Sequence, residues 1–317
     1  MDDSAVSPVI AVMLILAVLV TFVSVVHVVV VPSMKAQDEI EHLEAVEEAF
    51  LRFSSDLELA ASLKQDLRLS ERVRLGGGSI VINPARSSGT LRVGQEPAWL
   101  MNVTLSNATA STTVTSMLVT CSYTPSGNYW QDQGYRWRYG YVNISKAGLE
   151  TPLEFATMAE VAEHVNGSGF GATLFDLDAR VHSFPVYNET GAVTGSTTNC
   201  TAVEIEVVNF TAGERHFASG NGFGTLALDC TVSEVETVEE PDVITIRVNR
   251  DLPVPLTAML LEKCNATASA LAGRCGNLGN LTVTAGPDCD EVSVEIDRTA
   301  TPVEVGVRVA GVTVMAY

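Results

Sequence analysis

Hydrophobic and polar positions follow three textures along the chain. From Val9 to Val31 no residue carries a formal charge, and a helix over those residues spans roughly 35 Å, enough to cross a bilayer. A core helix of a water-soluble protein seldom stays apolar on every face for about six turns. A secretion signal needs a basic start and a shorter apolar core, whereas Asp2 and Asp3 precede this one. Ser7 is placed to cap the helix and Pro8 to occupy its first position, where no N–H is needed. At the far end Pro32 predicts a kink or an interruption. Thr21, Ser24 and His27 recur every three residues as a short polar stripe. That stripe reads as helix–helix packing; a proton-relay role for His27 is the alternative that an ionisable group at such depth raises.

Beyond Pro32 the texture turns amphipathic. Ile40, Leu43, Val46, Phe50, Phe53, Leu57 and Leu67 recur at mostly three- and four-residue steps, one face of a helix. Asp38, Glu39, Glu41, Glu44, Glu47 and Glu48 are expected on its solvated faces. The pattern predicts a stalk helix over 32–75, ended by Gly76–Gly78. That glycine run does not read as a phosphate loop, because no strand leads into it and no Gly-Lys-Ser/Thr follows.

From Ser79 onward short β-type runs alternate with Gly, Pro, Asn and Ser/Thr: "SIVINP", "TVTSMLVTCSY", "AVEIEVVNF", "GTLALDC", "DVITIRVNR", "LTVTAG", "EVSVEID" and "VEVGVRVAGVTVMAY". They predict an all-β, sandwich-like head over 76–317 with one added helix near Pro152–Val165. The expected fold class is thus α+β, a long N-terminal helix followed by a β head. The stretch around Asn188–Thr198 reads as an exposed loop. In "NYWQDQGYRWRYGYVN", one extended strand would put Tyr135, Trp137, Tyr139 and Tyr141 on one face and Arg136 and Arg138 on the other. Such an aromatic face either covers the core or forms an interface with sugar or protein.

The net charge of −19 excludes a nucleic-acid partner, since phosphate backbones need a basic surface, and disfavours acidic membrane surfaces. Cys121, Cys200, Cys230, Cys264, Cys275 and Cys289 contain no C-x-x-C pair, which removes zinc-ribbon and thioredoxin-like readings. An even cysteine count beyond an apolar segment suggests disulfides in an oxidising exterior. Pairing stays open, with Cys264 and Cys275 near enough in sequence to close a small loop; buried free thiols are the alternative. Nine Asn-x-Ser/Thr sequons occur among 14 asparagines, at Asn102, Asn107, Asn143, Asn166, Asn188, Asn199, Asn209, Asn265 and Asn280. Chance would give about three or four, so the excess argues for N-linked glycans on an exported head. Cysteines and sequons set this orientation; the positive-inside rule does not, because the N-terminus is acidic and Lys35 falls on the outer side.

No residue reads as catalytic and no cofactor is expected. His164, His182 and His216 lack metal-ligand spacing, and no Gly-x-Ser-x-Gly elbow occurs. Asp176 with Asp178, and Asp288 with Asp290 and Glu291, read as turn acids, with structural Ca²⁺ as the alternative.

"AVSPVI", Ala5–Ile10, resembles the start of the hydrophobic segment in archaeal type IV pilins and related archaellin-like proteins. The likeness runs through the apolar stretch and weakens over Gln37–Ala60. It implies a leader of residues 1–4, cut between Ser4 and Ala5 by a prepilin peptidase, with Asp3-Ser4 as the charged-then-small pair. Residues 5–31 would be retained, held in membrane lipid before assembly and then packed with identical subunits in a helical filament; Pro8, Val9, Ile10, Leu14, Leu16, Phe22 and His27 belong to this polymerisation helix. The resemblance also implies a platform membrane protein and an assembly ATPase as partners, and adhesion as the use. The alternatives are a minor pilin or permanently anchored surface glycoprotein, and a sugar-binding or hydrolytic surface module.

Overall fold

The computed structural model describes residues 6–79, 85–127, 129–167, 170–252, 254–275, 281–285, 291–297 and 302–317. A long N-terminal helix leads into a large, mostly β domain; 29% of the chain is helical and 52% strand. Helix α1 (Val6–Val25) passes through a π-helical turn (Val26–Val30) into α2 (Val31–Leu63) without a break. The helix starts two residues before Pro8, which lies inside its first turn. Pro32 does not interrupt it either. Its ring clashes with the carbonyl four residues back and it offers no N–H, and the backbone accommodates both by widening one turn. The Val31 N–H accordingly bonds the Val26 carbonyl, five residues earlier.

The stalk helix ends twelve residues earlier than its apolar spacing predicts. Lys64 takes a left-handed conformation (φ 45°) and its N–H caps the Ala60 carbonyl. Residues Leu67–Arg74 form strand β1 instead. In "LRLSERVR" Leu67, Leu69 and Val73 alternate with Arg68, Arg72 and Arg74, so the period there is two and not 3.6.

Twelve further strands build the head: β2 (Ser88–Ser106), β3 (Ser111–Ser126), β4 (Gln133–Arg138), β5 (Tyr141–Lys146), β6 (Leu149–Pro152), β7 (Phe175–Tyr187), β8 (Val193–Gly220), β9 (Phe223–Glu234), β10 (Val243–Val248), β11 (Leu281–Ala285), β12 (Glu291–Ile296) and β13 (Glu304–Ala316). The main strand order is β1-β9-β13-β8-β2-β3-β4-β5-β6, with β7 added beside β8 and β10-β12-β11 added beside β2. All pairings are antiparallel except β13 with β8. Seven of the eight β-type runs lie in these strands; in "SIVINP" Ser79 is outside any strand and the other five residues fall outside the described ones.

Helices α3 (Met158–Gly167), α4 (Phe170–Thr173) and α5 (Val254–Cys275) complete the head. Helix α3 falls where one added helix was expected. Helix α5 was not anticipated: its sequence mixes small, polar and apolar residues with no clean face.

The hydrophobic core forms where the distal part of α2 meets the sheet. Leu43, Val46, Phe50, Phe53 and Leu57 from the helix join Leu91, Val103, Trp137, Val207, Phe210 and Val312 from the strands in one buried cluster. The helix is therefore amphipathic against its own head and becomes free only toward the N-terminus.

Candidate polymerisation surface

From Ile10 to the end of the π-turn the described apolar side chains lie open to solvent, Val26 alone being half-buried. Leu14, Leu16 and Phe22 are 63%, 60% and 66% exposed, and Val28 reaches 73%. Among the described residues one helix is long and apolar enough to cross a membrane, Ile10–Leu63, of which only the proximal part is bare. Fifteen large apolar side chains between Ile10 and Val30 are more than 40% exposed. At about 1 kcal/mol for each remaining half-burial, covering them stabilises by roughly 15 kcal/mol per chain. Apolar patches of that extent on soluble monomers mark surfaces awaiting lipid or protein. Pro8 and Val9 lie in the first turns of this helix, while Ser4 and Ala5 are outside the described residues. Thr21, Ser24 and His27 are exposed, and the Thr21 hydroxyl donates to the Val18 carbonyl at 2.8 Å, the local bond open to a hydroxyl in an apolar helix.

Where α2 enters the head, polar groups lock it. Asp38 and Glu39 were expected on a solvated face; Glu39 is instead fully buried, and Asp38 accepts from the backbone N–H groups of Gly78 and Ser79 and from Arg74. Ser87 Oγ donates to Glu39 Oε2 at 2.7 Å and accepts from the Gly77 N–H at 2.8 Å. The glycine run thus lies against the helix rather than ending it. A Cβ on Gly77 would stand 2.8 Å from the His42 Cβ, a contact only glycine allows.

His42, also fully buried, sits 2.9 Å from the Tyr123 hydroxyl, which donates to the Leu75 carbonyl at 3.1 Å. The hydroxyl's single hydrogen is thereby used, so His42 donates from Nε2 and keeps Nδ1 unprotonated. Burial, helped by Arg74, pushes His42 down to about 4, and burial raises Glu39 above its ordinary value. This cluster was not singled out from the sequence. Its signal is that Glu39 and His42 share the apolar face of Leu43, Val46 and Phe50 at helical spacing.

Within the aromatic run Tyr135, Trp137 and Tyr139 belong to the core and not to an interface, whereas Tyr129 and Trp130 are exposed. Trp137 is fully buried, Tyr135 is 1% and Tyr139 7% exposed. Trp137 Nε1 donates to Ser54 Oγ at 3.0 Å, and the Tyr135 hydroxyl donates to Glu47 Oε2 at 3.0 Å, so both rings clamp α2. Tyr141 is half-buried against Phe155. The four aromatics do not share one strand. Tyr139 and Gly140, with φ of 58° and 91°, form the two-residue turn of a hairpin between β4 and β5, the geometry that matches strand twist.

The thiols depart from the disulfide expectation. No disulfide joins Cys121, Cys200, Cys230 and Cys264 to one another, and all four are buried. Cys264 and Cys275 cannot form the small loop, because both lie on α5. Eleven residues of helix separate their Cα atoms by roughly 16 Å, far beyond disulfide reach. The Cys275 side chain and Cys289 are outside the described set.

The sequons divide by position. Asn188 is exposed at the tip of a β7–β8 ribbon, which replaces the expected loop over Asn188–Thr198; its side chain accepts from the N–H groups of Thr190 and Ala192. Asn102, Asn107, Asn199, Asn209 and Asn265 are half-buried. Asn143 is 8% exposed on β5, between β4 and β6, so the folded head presents no acceptor there. The Asn166 side chain and Asn280 lie outside the described residues.

Asp176 and Asp178 project from β7 as exposed alternate residues, whereas Asp288 and Asp290 are not among the described ones. Among the described residues no three His, Cys, Asp or Glu side chains converge as a metal site.

No protein-family model matches the chain, and neither a curated protein nor a solved structure is similar to it.

Proposed function

We propose that the chain is a structural subunit of an archaeal type IV pilin-like surface filament, with the head outside the cell and adhesion as its use. The observation that supports this most is the bare helix over Ile10–Val30, continuous as helix with a stalk whose distal part is buried in its own head. A membrane anchor needs only the apolar length. Unbroken helical continuity also suits a rod that leaves lipid to pack against copies of itself, exchanging one apolar environment for another. The head then decorates a helical core. Resemblance at Ala5–Ile10 supplies the family and the cut between Ser4 and Ala5; prepilin peptidase, platform protein and assembly ATPase follow from it as partners.

Electron microscopy of sheared surface filaments, with N-terminal sequencing of their dominant subunit, tests the proposal. Recovery of this chain starting near Ala5 is the expected result. Recovery only from detergent-extracted membrane with Asp2 intact overturns it in favour of a permanently anchored surface protein.

A further inference from the structure

One face of this acidic head carries positive charge that its own carboxylates do not meet. Strands β1, β9, β13, β8 and β2 lie side by side. Their register places Arg72 opposite Thr225, Thr225 against Tyr317 through both backbone bonds, and Phe217 opposite Arg92. Because Ala316 pairs His216 in the parallel ladder, Tyr317 falls level with Phe217. Residues directly across a sheet share a face. Val73, Gly224, Ala316 and Leu91, one step along, are buried, so this row points away from the core. Five strands make it a band about 19 Å across.

The band is aromatic as well as basic. Phe217, Phe223 and Tyr317 are 58%, 63% and 48% exposed. The Arg72 guanidinium lies 4.4 Å from the Phe223 ring centre, and that of Arg215 5.6 Å from Tyr317. Eight other arginines among the described residues hold carboxylates in ion pairs, whereas Arg72, Arg92 and Arg215 hold none among them. Arg86 also holds none among them, but it stands alone in a loop, whereas these three gather on one sheet face of a chain with 38 acidic side chains against 19 basic ones.

The complementary surface is on the same chain, facing elsewhere. Glu41, Glu44 and Glu48 are exposed on α2 at steps of three and four, a stripe about 10 Å long. Glu48 bonds Arg52, while Glu41 and Glu44 meet no cation among the described residues.

We infer that the Arg72–Arg92 face of one chain docks on the Glu41–Glu48 stripe of a second copy. The inference rests on the filament reading and adds the contact between neighbouring heads and stalks. Guanidinium forks suit carboxylates, and flanking rings exclude water around the pairs. Since patch and stripe are different surfaces, the contact is heterologous and propagates instead of closing into a dimer.

The test is filament yield, by electron microscopy of sheared cells expressing the full chain, for wild type, for Arg72→Glu/Arg92→Glu/Arg215→Glu, and for that variant combined with Glu41→Arg/Glu44→Arg. The triple variant is expected to lose at least about tenfold in yield, and the combined variant to regain most of it. Retention of the wild-type melting transition by the detergent-solubilised triple variant excludes misfolding; if the transition is lost, Arg→Gln replacements at the same positions are scored in the same way. Wild-type yield in the folded variant overturns the docking alone, as does loss without rescue or unchanged filaments that lose binding to an acidic polysaccharide. Absence of wild-type filaments overturns the filament reading, and the docking with it.

Discussion

Replacing Phe50 by alanine tests whether the distal stalk is part of the head's core. Phe50 is fully buried on α2, and its ring centre lies 6.1 Å from that of Tyr135, whose hydroxyl is tied to Glu47 one turn away. Truncating a buried phenylalanine costs about 3–5 kcal/mol, from lost transfer free energy and the cavity left where helix and strand cannot collapse. A folded domain holds only about 5–15 kcal/mol in total, so the loss is a large fraction. Urea unfolding of the full chain in a non-ionic detergent, followed by near-ultraviolet circular dichroism, reads it. With a slope of about 2–3 kcal/mol/M, the midpoint falls by roughly 1.5 M. Phe50→Leu, which nearly conserves volume, should cost less than about 1.5 kcal/mol. Leu14→Ala on the bare helix should leave the transition within about 0.5 kcal/mol of wild type. A midpoint shift below about 0.3 M for Phe50→Ala, or a helical signal lost before the sheet, would show that α2 is an attachment and not a core element.

The buried His42 makes stability depend on pH. Its folded value near 4 lies below the ordinary 6.5, so its contribution is complete above 6.5 and disappears as pH falls toward 4, a loss of up to about 3 kcal/mol. Glu39 acts in the opposite direction: its raised value favours the fold at low pH and is lost as pH rises. The His42 effect is therefore measured in a Glu39→Gln background, where His42→Gln should flatten the pH profile of the melting temperature between 6.5 and 4; an unchanged slope contradicts the burial. Asp38, Arg74 and Tyr123 surround both groups and are kept intact in that comparison. Glycopeptide mapping of native material should find Asn188 occupied and Asn143 bare, and a sugar on Asn143 would conflict with its place between β4 and β6. A non-reducing peptide map should contain no Cys264–Cys275 bridge, and Cys121 should resist alkylation until the protein is unfolded, because burial raises its thiol pKa.

The two periodicities were legible wherever one face of an element meets one environment. Val9–Val31 reads as apolar on all sides, and Leu43–Leu57 as a single buried face. The β runs from "TVTSMLVTCSY" to "VEVGVRVAGVTVMAY" carry alternation that survives in β3, β8, β9, β10, β12 and β13. Reading failed where two periods agree by accident. Leu67 falls on the helical spacing of the stalk, yet Lys64 turns left-handed and the chain pairs with β9. Tyr135–Tyr141 alternates as one strand would, yet the positive φ at Tyr139 and Gly140 folds it into a hairpin.

By itself the sequence determined that a long apolar helix precedes an amphipathic stalk and a β-rich head, because hydrophobic burial is local in pattern and repeats with the backbone's own period. Only the tertiary structure decided which side of each element is covered. Glu39 and His42 pass from an expected solvated surface and an unremarked position into a buried knot because a glycine run, Ser87 and Tyr123 arrive there from elsewhere in the chain. Tyr135 and Trp137 become clamps because the stalk lies across them. Arg72, Arg92 and Arg215 stand together only after five strands that are distant in sequence align. Contacts of this kind join residues whose separation along the chain carries no period, which is why a one-dimensional pattern is silent about them.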